Sequence, residues 1–275
     1  MAAPKAGILT GYGINADKEL AQAFELAGAQ AQLVHLHDVF ENPSIMKDWS
    51  IVAFPGGFSF GDHLGSGKVL SHQVKIRMGE QLAGHISRGG LVLGICNGFQ
   101  TLVKMGLLPD LNQSMEPQVS LIHNDSGTFI DRWVGLRVNR NNPSPWLTNL
   151  GDTSGHLEYP IRHGEGKFIF LDEEIRRTVH NRNLVAFTYH GPAGNAAAAG
   201  HNNTAGHNKF SDQPDNPNGS TDHIAGITDT TGRVLGLMPH PEAFLRAHQH
   251  PKWTRELIKE PTPGLQLIQN GVRAV

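Results

Sequence analysis

The chain has 275 residues, 39% of them hydrophobic, enough to bury a sizeable core, and residues 1–275 are expected to form a single domain. Its 23 basic and 25 acidic residues give a formal charge of −2 and are spread without blocks, which argues against a nucleic-acid surface or an anionic membrane as partner. One cysteine excludes an internal disulfide, and the run after Met1-Ala2-Ala3-Pro4-Lys5 is too short for a signal peptide or a membrane span, so the cytoplasm is the expected compartment.

Residues 6–10 form a short apolar run, the mark of a strand. Residues 17–28 follow with Leu20, Phe24 and Ala27 at helical spacing, Asp17 placed to cap the start and Gly28 to mark the stop. Apolar runs at 31–36, 50–54 and 91–95 complete a β-α-β alternation, which predicts an α/β fold: a parallel sheet with helices on both faces, a three-layer sandwich. The second half changes character. Segments 133–138, 167–171, 184–189, 224–228 and 234–238 alternate between turn-rich loops, and several are expected to be antiparallel or edge strands. The stretch 191–218 is rich in Gly, Ala, Asn, His and Pro, with Phe210 its lone large apolar residue, and is expected to be a surface insertion. Residues 264–272, after Pro261 and Pro263, predict a short closing helix.

The apolar run Leu91-Val92-Leu93-Gly94-Ile95 stops abruptly at Cys96, followed by Asn97-Gly98-Phe99-Gln100. A buried strand meeting a helix through a glycine-flanked turn presents its middle residue as a nucleophile, whereas a packing cysteine has no need of such neighbours. A free thiol is only a few per cent ionised at neutral pH and needs a helix N-terminus or a histidine to activate it. The run from Val234 to Met238 delivers Pro239-His240-Pro241-Glu242 just past a strand end, where open α/β sheets place ligands. His240 is the expected base and Glu242 the carboxylate that orients it. The Asn97 N–H, opening a helix, supplies half of an oxyanion hole. Gly57 and Phe58, in the glycine-rich loop Phe54-Pro55-Gly56-Gly57-Phe58-Ser59-Phe60-Gly61-Asp62, are the expected donors of the other half.

Other motifs carry less. Gly11-Tyr12-Gly13 with Asp38 mimics a dinucleotide fingerprint, but a tight strand-to-helix turn explains those glycines without a cofactor. Residues 61–68 miss the phosphate-loop spacing and place Val69 where a magnesium-binding hydroxyl belongs, so this chain is expected to hold no ATP itself. His35 and His37, read on one strand face, and His248 and His250 lack any zinc spacing, and no metal is expected. Trp133 and Trp146 read as packing residues.

The elbow Gly94-Ile95-Cys96-Asn97-Gly98-Phe99-Gln100 and the Met238-Pro239-His240-Pro241-Glu242 run resemble the class I, or triad, glutamine amidotransferases. The segments 124–133, Pro160-Ile161-Arg162-His163-Gly164-Glu165-Gly166 and Asn216-Pro217-Asn218-Gly219-Ser220 narrow the resemblance to the glutaminase subunits of phosphoribosylformylglycinamidine synthase. That resemblance implies a flavodoxin-like central sheet with antiparallel additions and a Cys96-His240-Glu242 triad that hydrolyses L-glutamine through a thioester. It implies that Gly56, Gln100, Ser126, Gly127 and Phe129 help to position glutamine. It also implies a synthetase subunit as partner, carrying ATP and Mg, together with a small accessory subunit. The chain departs from the family pattern at Ala243, where arginine is common, and at Thr128, where a basic residue is common. Both departures bear on the docking surface and leave the triad intact. A glutaminase feeding another acceptor, a different Cys-His-Glu hydrolase of the same architecture, or a non-catalytic glutamine-binding regulator are the alternatives that the motifs leave open.

Overall fold

A computed structural model describes residues 2–151, 155–191 and 215–275. The first half alternates strands and helices: β1 (Lys5–Thr10), α1 (Asp17–Leu26), β2 (Gln30–His35), α2 (Leu36–Glu41), β3 (Ile51–Phe54), α3 (Lys68–Ser87), β4 (Leu91–Ile95) and α4 (Asn97–Lys104). The second half adds β5 (Val119–Ile122), β6 (Ile130–Val138), β7 (His156–His163), β8 (Lys167–Phe170), α5 (Glu173–Asn181), β9 (Val185–His190), β10 (Ile224–Thr228), β11 (Val234–Leu237) and α6 (Pro263–Arg273).

Among the described residues, nine strands form one sheet in the order β2-β1-β3-β4-β11-β10-β9-β6-β7, while β5 and β8 pair separately. From β2 through β11 every pairing is parallel, in the flavodoxin-like order, and from β11 to β7 every pairing is antiparallel. Every residue of β3 and β4 is buried. Successive strand residues point to opposite faces, so both faces of the central sheet are covered, which is why these strands read as unbroken apolar runs. Helix α1 packs with α6, and α3 with α4.

Several expectations are corrected in detail. Asp17 is the first residue of α1 rather than its cap, and its carboxylate accepts a hydrogen bond from the Thr10 hydroxyl instead. His37 lies in α2, so it does not share a strand face with His35. Residues 234–237 form the central strand β11, parallel to β4 on one side and antiparallel to β10 on the other. Strand β7 carries Pro160, which cannot donate to a ladder and is accommodated because β7 is an edge strand.

Of the expected insertion 191–218, residues 192–214 lie outside the described residues. Its C-terminal end belongs to the interior. Asn218 is 1% exposed and donates to Gly166 O at 2.8 Å, and its side-chain oxygen accepts from the Ser220 hydroxyl at 2.7 Å.

Candidate active site

Register explains how residues 144 positions apart meet. Strands β4 and β11 are parallel neighbours with Gly94 opposite Gly236 and Ile95 opposite Leu237, so both chains leave the sheet at the same edge. Cys96 follows β4 directly and His240 follows β11 after Met238 and Pro239, and the Cys96 N–H donates to Leu237 O at 2.8 Å.

Cys96 has φ 52 and ψ −106, a left-handed conformation that side chains rarely adopt and that turns the thiol out of the strand direction. Helix α4 starts at the next residue. The turn is possible only because residue 98 is glycine: a Cβ there would lie 1.9 Å from Phe54 O, inside any van der Waals contact. The same crowding holds Gly56, where a Cβ would meet His240 Cε1 at 2.8 Å and Cys96 Cβ at 3.4 Å. The glycine-rich loop thus lies directly against both the thiol and the imidazole.

His240 is fixed at both ends. Its N–H donates to Pro160 O at 2.8 Å, tying the turn after β11 to edge strand β7, and its Nδ1 lies 2.6 Å from Glu242 Oε1. Both side chains are buried, His240 at 3% and Glu242 at 1% exposure. Burial alone would pull the His240 pKa down, but the Glu242 carboxylate and the Cys96 sulfur outweigh it and push it up to about 10. With Nδ1–H donated to Glu242, Nε2 has no hydrogen-bond partner among the described residues and is available to the thiol. The thiol itself, 5% exposed, points at Arg162 O, 3.6 Å away.

The expected oxyanion donors divide. Asn97 is the first residue of α4, so its N–H has no intrahelical acceptor, and Gly57 N–H has no partner among the described residues. Phe58 N–H is already committed to Gly13 O at 2.9 Å, which corrects its assignment as a donor to ligand. The Asn97 side chain braces this arrangement: its oxygen accepts from Ser59 N–H at 3.2 Å, and its amide donates to Asp62 Oδ1 at 3.2 Å and Gln100 Oε1 at 3.1 Å.

Among residues expected to position glutamine, Gln100 is 3% exposed and its amide donates to Glu165 O at 2.6 Å, so it anchors the 163–166 turn. Ser126, Gly127 and Phe129 lie in an exposed loop before β6. Phe129 leans over the glycine-rich loop, its ring centroid 6.2 Å from that of Phe58, and it borders Gly164.

Residues that carried no role in the sequence reading complete the site. Arg162 places its guanidinium 3.3 Å from His240 Nδ1 and 3.9 Å from Glu242 Oε1. Because Nδ1 already gives its proton to Glu242, Arg162 acts there as a neighbouring cation rather than a donor. His163 is buried, and desolvation, with the His240 charge adding to it, lowers its pKa to about 4. Asn124 holds the His163 turn, donating to His163 O at 2.9 Å and accepting from Gly166 N–H at 3.0 Å. The available signal was the run Arg162-His163-Gly164-Glu165-Gly166 itself, whose polar residues interrupt an otherwise apolar strand end.

Residues 3–275 match the family described as the CobB/CobQ-like glutamine amidotransferase domain. The chain belongs to this glutamine amidotransferase family. Within it, the chain is 38% identical over 273 residues to the phosphoribosylformylglycinamidine synthase subunit PurQ of Dehalococcoides mccartyi, covering 99% of this amidotransferase and 98% of that protein. It is 36% identical to PurQ of Methanococcus maripaludis strain C5, covering 98% and 97% of the two chains. A solved structure of PurLQS from Thermotoga maritima contains a chain with TM-score 0.70 and 28% identity, covering 99% of each. The amidotransferase has no helix, among its described residues, long and apolar enough to cross a membrane, and those residues contain no cluster of three or more His, Cys, Asp or Glu able to hold a metal ion.

Proposed function

We propose that this chain is the glutaminase subunit of a phosphoribosylformylglycinamidine synthase. It hydrolyses L-glutamine to glutamate and ammonia, and a synthetase subunit uses that ammonia with ATP to convert formylglycinamide ribonucleotide to formylglycinamidine ribonucleotide in purine biosynthesis. The observation that carries this reading is the meeting of Cys96, His240 and Glu242 at one sheet edge in a chain similar to PurQ subunits over nearly its whole length.

In this account His240 Nε2 takes the Cys96 proton, and the sulfur attacks the side-chain carbonyl carbon of glutamine. The N–H groups of Gly57 and Asn97 hold the oxyanion. His240 then returns the proton to the leaving nitrogen, ammonia departs, and water resolves the thioester to glutamate. Glu242 keeps the imidazole oriented and its cation stable. Ammonia is mostly protonated and non-nucleophilic near neutral pH, which favours delivery along a sheltered path into a bound partner. ATP and Mg belong on that synthetase subunit, a small accessory subunit completes the complex, and the cytoplasm is where it works.

The reading is tested by co-expressing the chain with a PurQ-dependent synthetase subunit. Co-purification and glutamine-dependent product formation are expected. With Cys96→Ala, ammonia should still support the synthetase while glutamine does not. Glutamine turnover with a different acceptor, and none with this one, would overturn it.

A further inference from the structure

A cavity of about 780 Å³ opens between α3, the end of α4 and the β5–β8 pair. It is separate from the triad: Cys96 precedes the first residue of α4, whereas the cavity meets that helix at Lys104, its last. Its volume lies within the range of about 300–1,000 Å³ typical of small-molecule sites.

The walls differ in chemistry. One presents Lys68, His72 and Lys75, spaced four and three residues apart on one face of α3, with Lys104 beside them. Lys75 is paired with Glu116 at 3.0 Å, and Lys104 donates to Ser66 O at 2.6 Å with Glu165 at 3.7 Å. The side chains of Lys68 and His72 have no hydrogen-bond or ion-pair partner among the described residues, and Glu116 is the one acidic residue lining the space. Burial lowers the Lys104 pKa, and the nearby Lys68 charge adds to that effect against the carboxylates that raise it. On this wall Lys75 and Lys104 have carboxylate partners, while Lys68 and His72 face the space without one. The opposite wall is apolar, with Met105, Val119, Ile169 and Phe170.

We infer that this cavity binds a phosphorylated ligand with a planar apolar body, of the size of a nucleoside monophosphate. The phosphate sits against Lys68 and His72, and the ring system lies along Val119 and Phe170. Phosphate supplies the missing charge through charge-assisted hydrogen bonds, and the apolar wall gains from covering a base.

Isothermal titration of the full chain with AMP, with adenosine and with inorganic phosphate tests this directly. AMP should bind saturably and more tightly than either fragment. Both Lys68 and His72 are exposed, so a Lys68→Ala/His72→Ala variant keeps the fold. That variant should weaken AMP by at least about tenfold and leave alkylation of Cys96 by a glutamine-analogue electrophile unchanged. Absence of saturable AMP binding, equal affinity in the variant, or phosphate binding as tightly as AMP would each overturn the assignment.

Discussion

The Cys96 thiol is aimed at the backbone carbonyl of Arg162, with sulfur and oxygen 3.6 Å apart, while the guanidinium of the same arginine lies 3.3 Å from His240 Nδ1. One residue of edge strand β7 thus lies against both Cys96 and His240. The thiol donates to that carbonyl, and His240 Nε2 has no hydrogen-bond partner among the described residues. Replacing the sulfur removes chemistry and little else. Cys96→Ala should lower glutamate release by at least about 10³-fold while moving Tm by only a few degrees, measured by a coupled glutamate assay and calorimetry on the same preparation.

The His240–Glu242 contact makes a prediction with a definite sign. Glu242, with Cys96, overcomes the burial that would otherwise lower the His240 pKa, so Glu242→Gln should bring that pKa down from about 10. The imidazolium then becomes less populated at neutral pH. Alkylation of Cys96 by iodoacetamide at pH 7 should slow, and kcat should fall by about 10²–10⁴-fold. Unchanged alkylation at pH 7 would show that the carboxylate does not support the imidazole.

Stability should depend on pH through two histidines of opposite sign. His240, with folded pKa raised to about 10 from the ordinary 6.5, contributes stability that is complete below pH 6.5 and lost as pH rises through 10. His163, lowered to about 4, is buried neutral: the unfolded chain takes up its proton first, so stability falls as pH drops from 6.5 towards 4, by about 3 kcal/mol from this group. Urea melts across pH should flatten on the alkaline side in His240→Gln and on the acid side in His163→Gln. Identical slopes in the parent and both variants would contradict these assignments.

Two glycines separate close approach from backbone conformation. Gly98→Ala places a methyl 1.9 Å from Phe54 O, and the cost should exceed about 3 kcal/mol, enough to lose soluble protein. Gly28→Ala has nothing within 4 Å but a φ of +94, so it should cost about 1 kcal/mol and keep activity. Comparing the two by chemical denaturation isolates the packing requirement of the elbow.

The legible parts of this fold are those where a local signal and the tertiary environment agree. Strands β3 and β4 are buried on both faces and read as apolar runs, and Cys96 and His240, which the structure brings together, stand past the glycine- or proline-punctuated ends of such runs. Helix α3, the longest among the described residues, went unread because its buried side includes Ser71, Gly79 and His85, which break the apolar stripe. Strand β7 was hidden by Pro160 and by the polar residues Arg162 and His163 that serve the site. Asp17 looked like a cap because its bond to Thr10 joins α1 to β1, a contact that spacing does not encode. The Phe58 amide was misassigned for a similar reason: Gly13 O, from the β1–α1 loop, takes the hydrogen bond that sequence reasoning reserved for the ligand.

The most direct measurement is mass spectrometry of the chain after treatment with a diazo-ketone analogue of glutamine, with and without glutamine present. A single adduct on Cys96 that glutamine suppresses, and that His240→Ala slows strongly, is the predicted result. Modification elsewhere, or labelling of Cys96 that glutamine leaves untouched, would contradict the assignment of this sheet edge as a glutamine-hydrolysing centre.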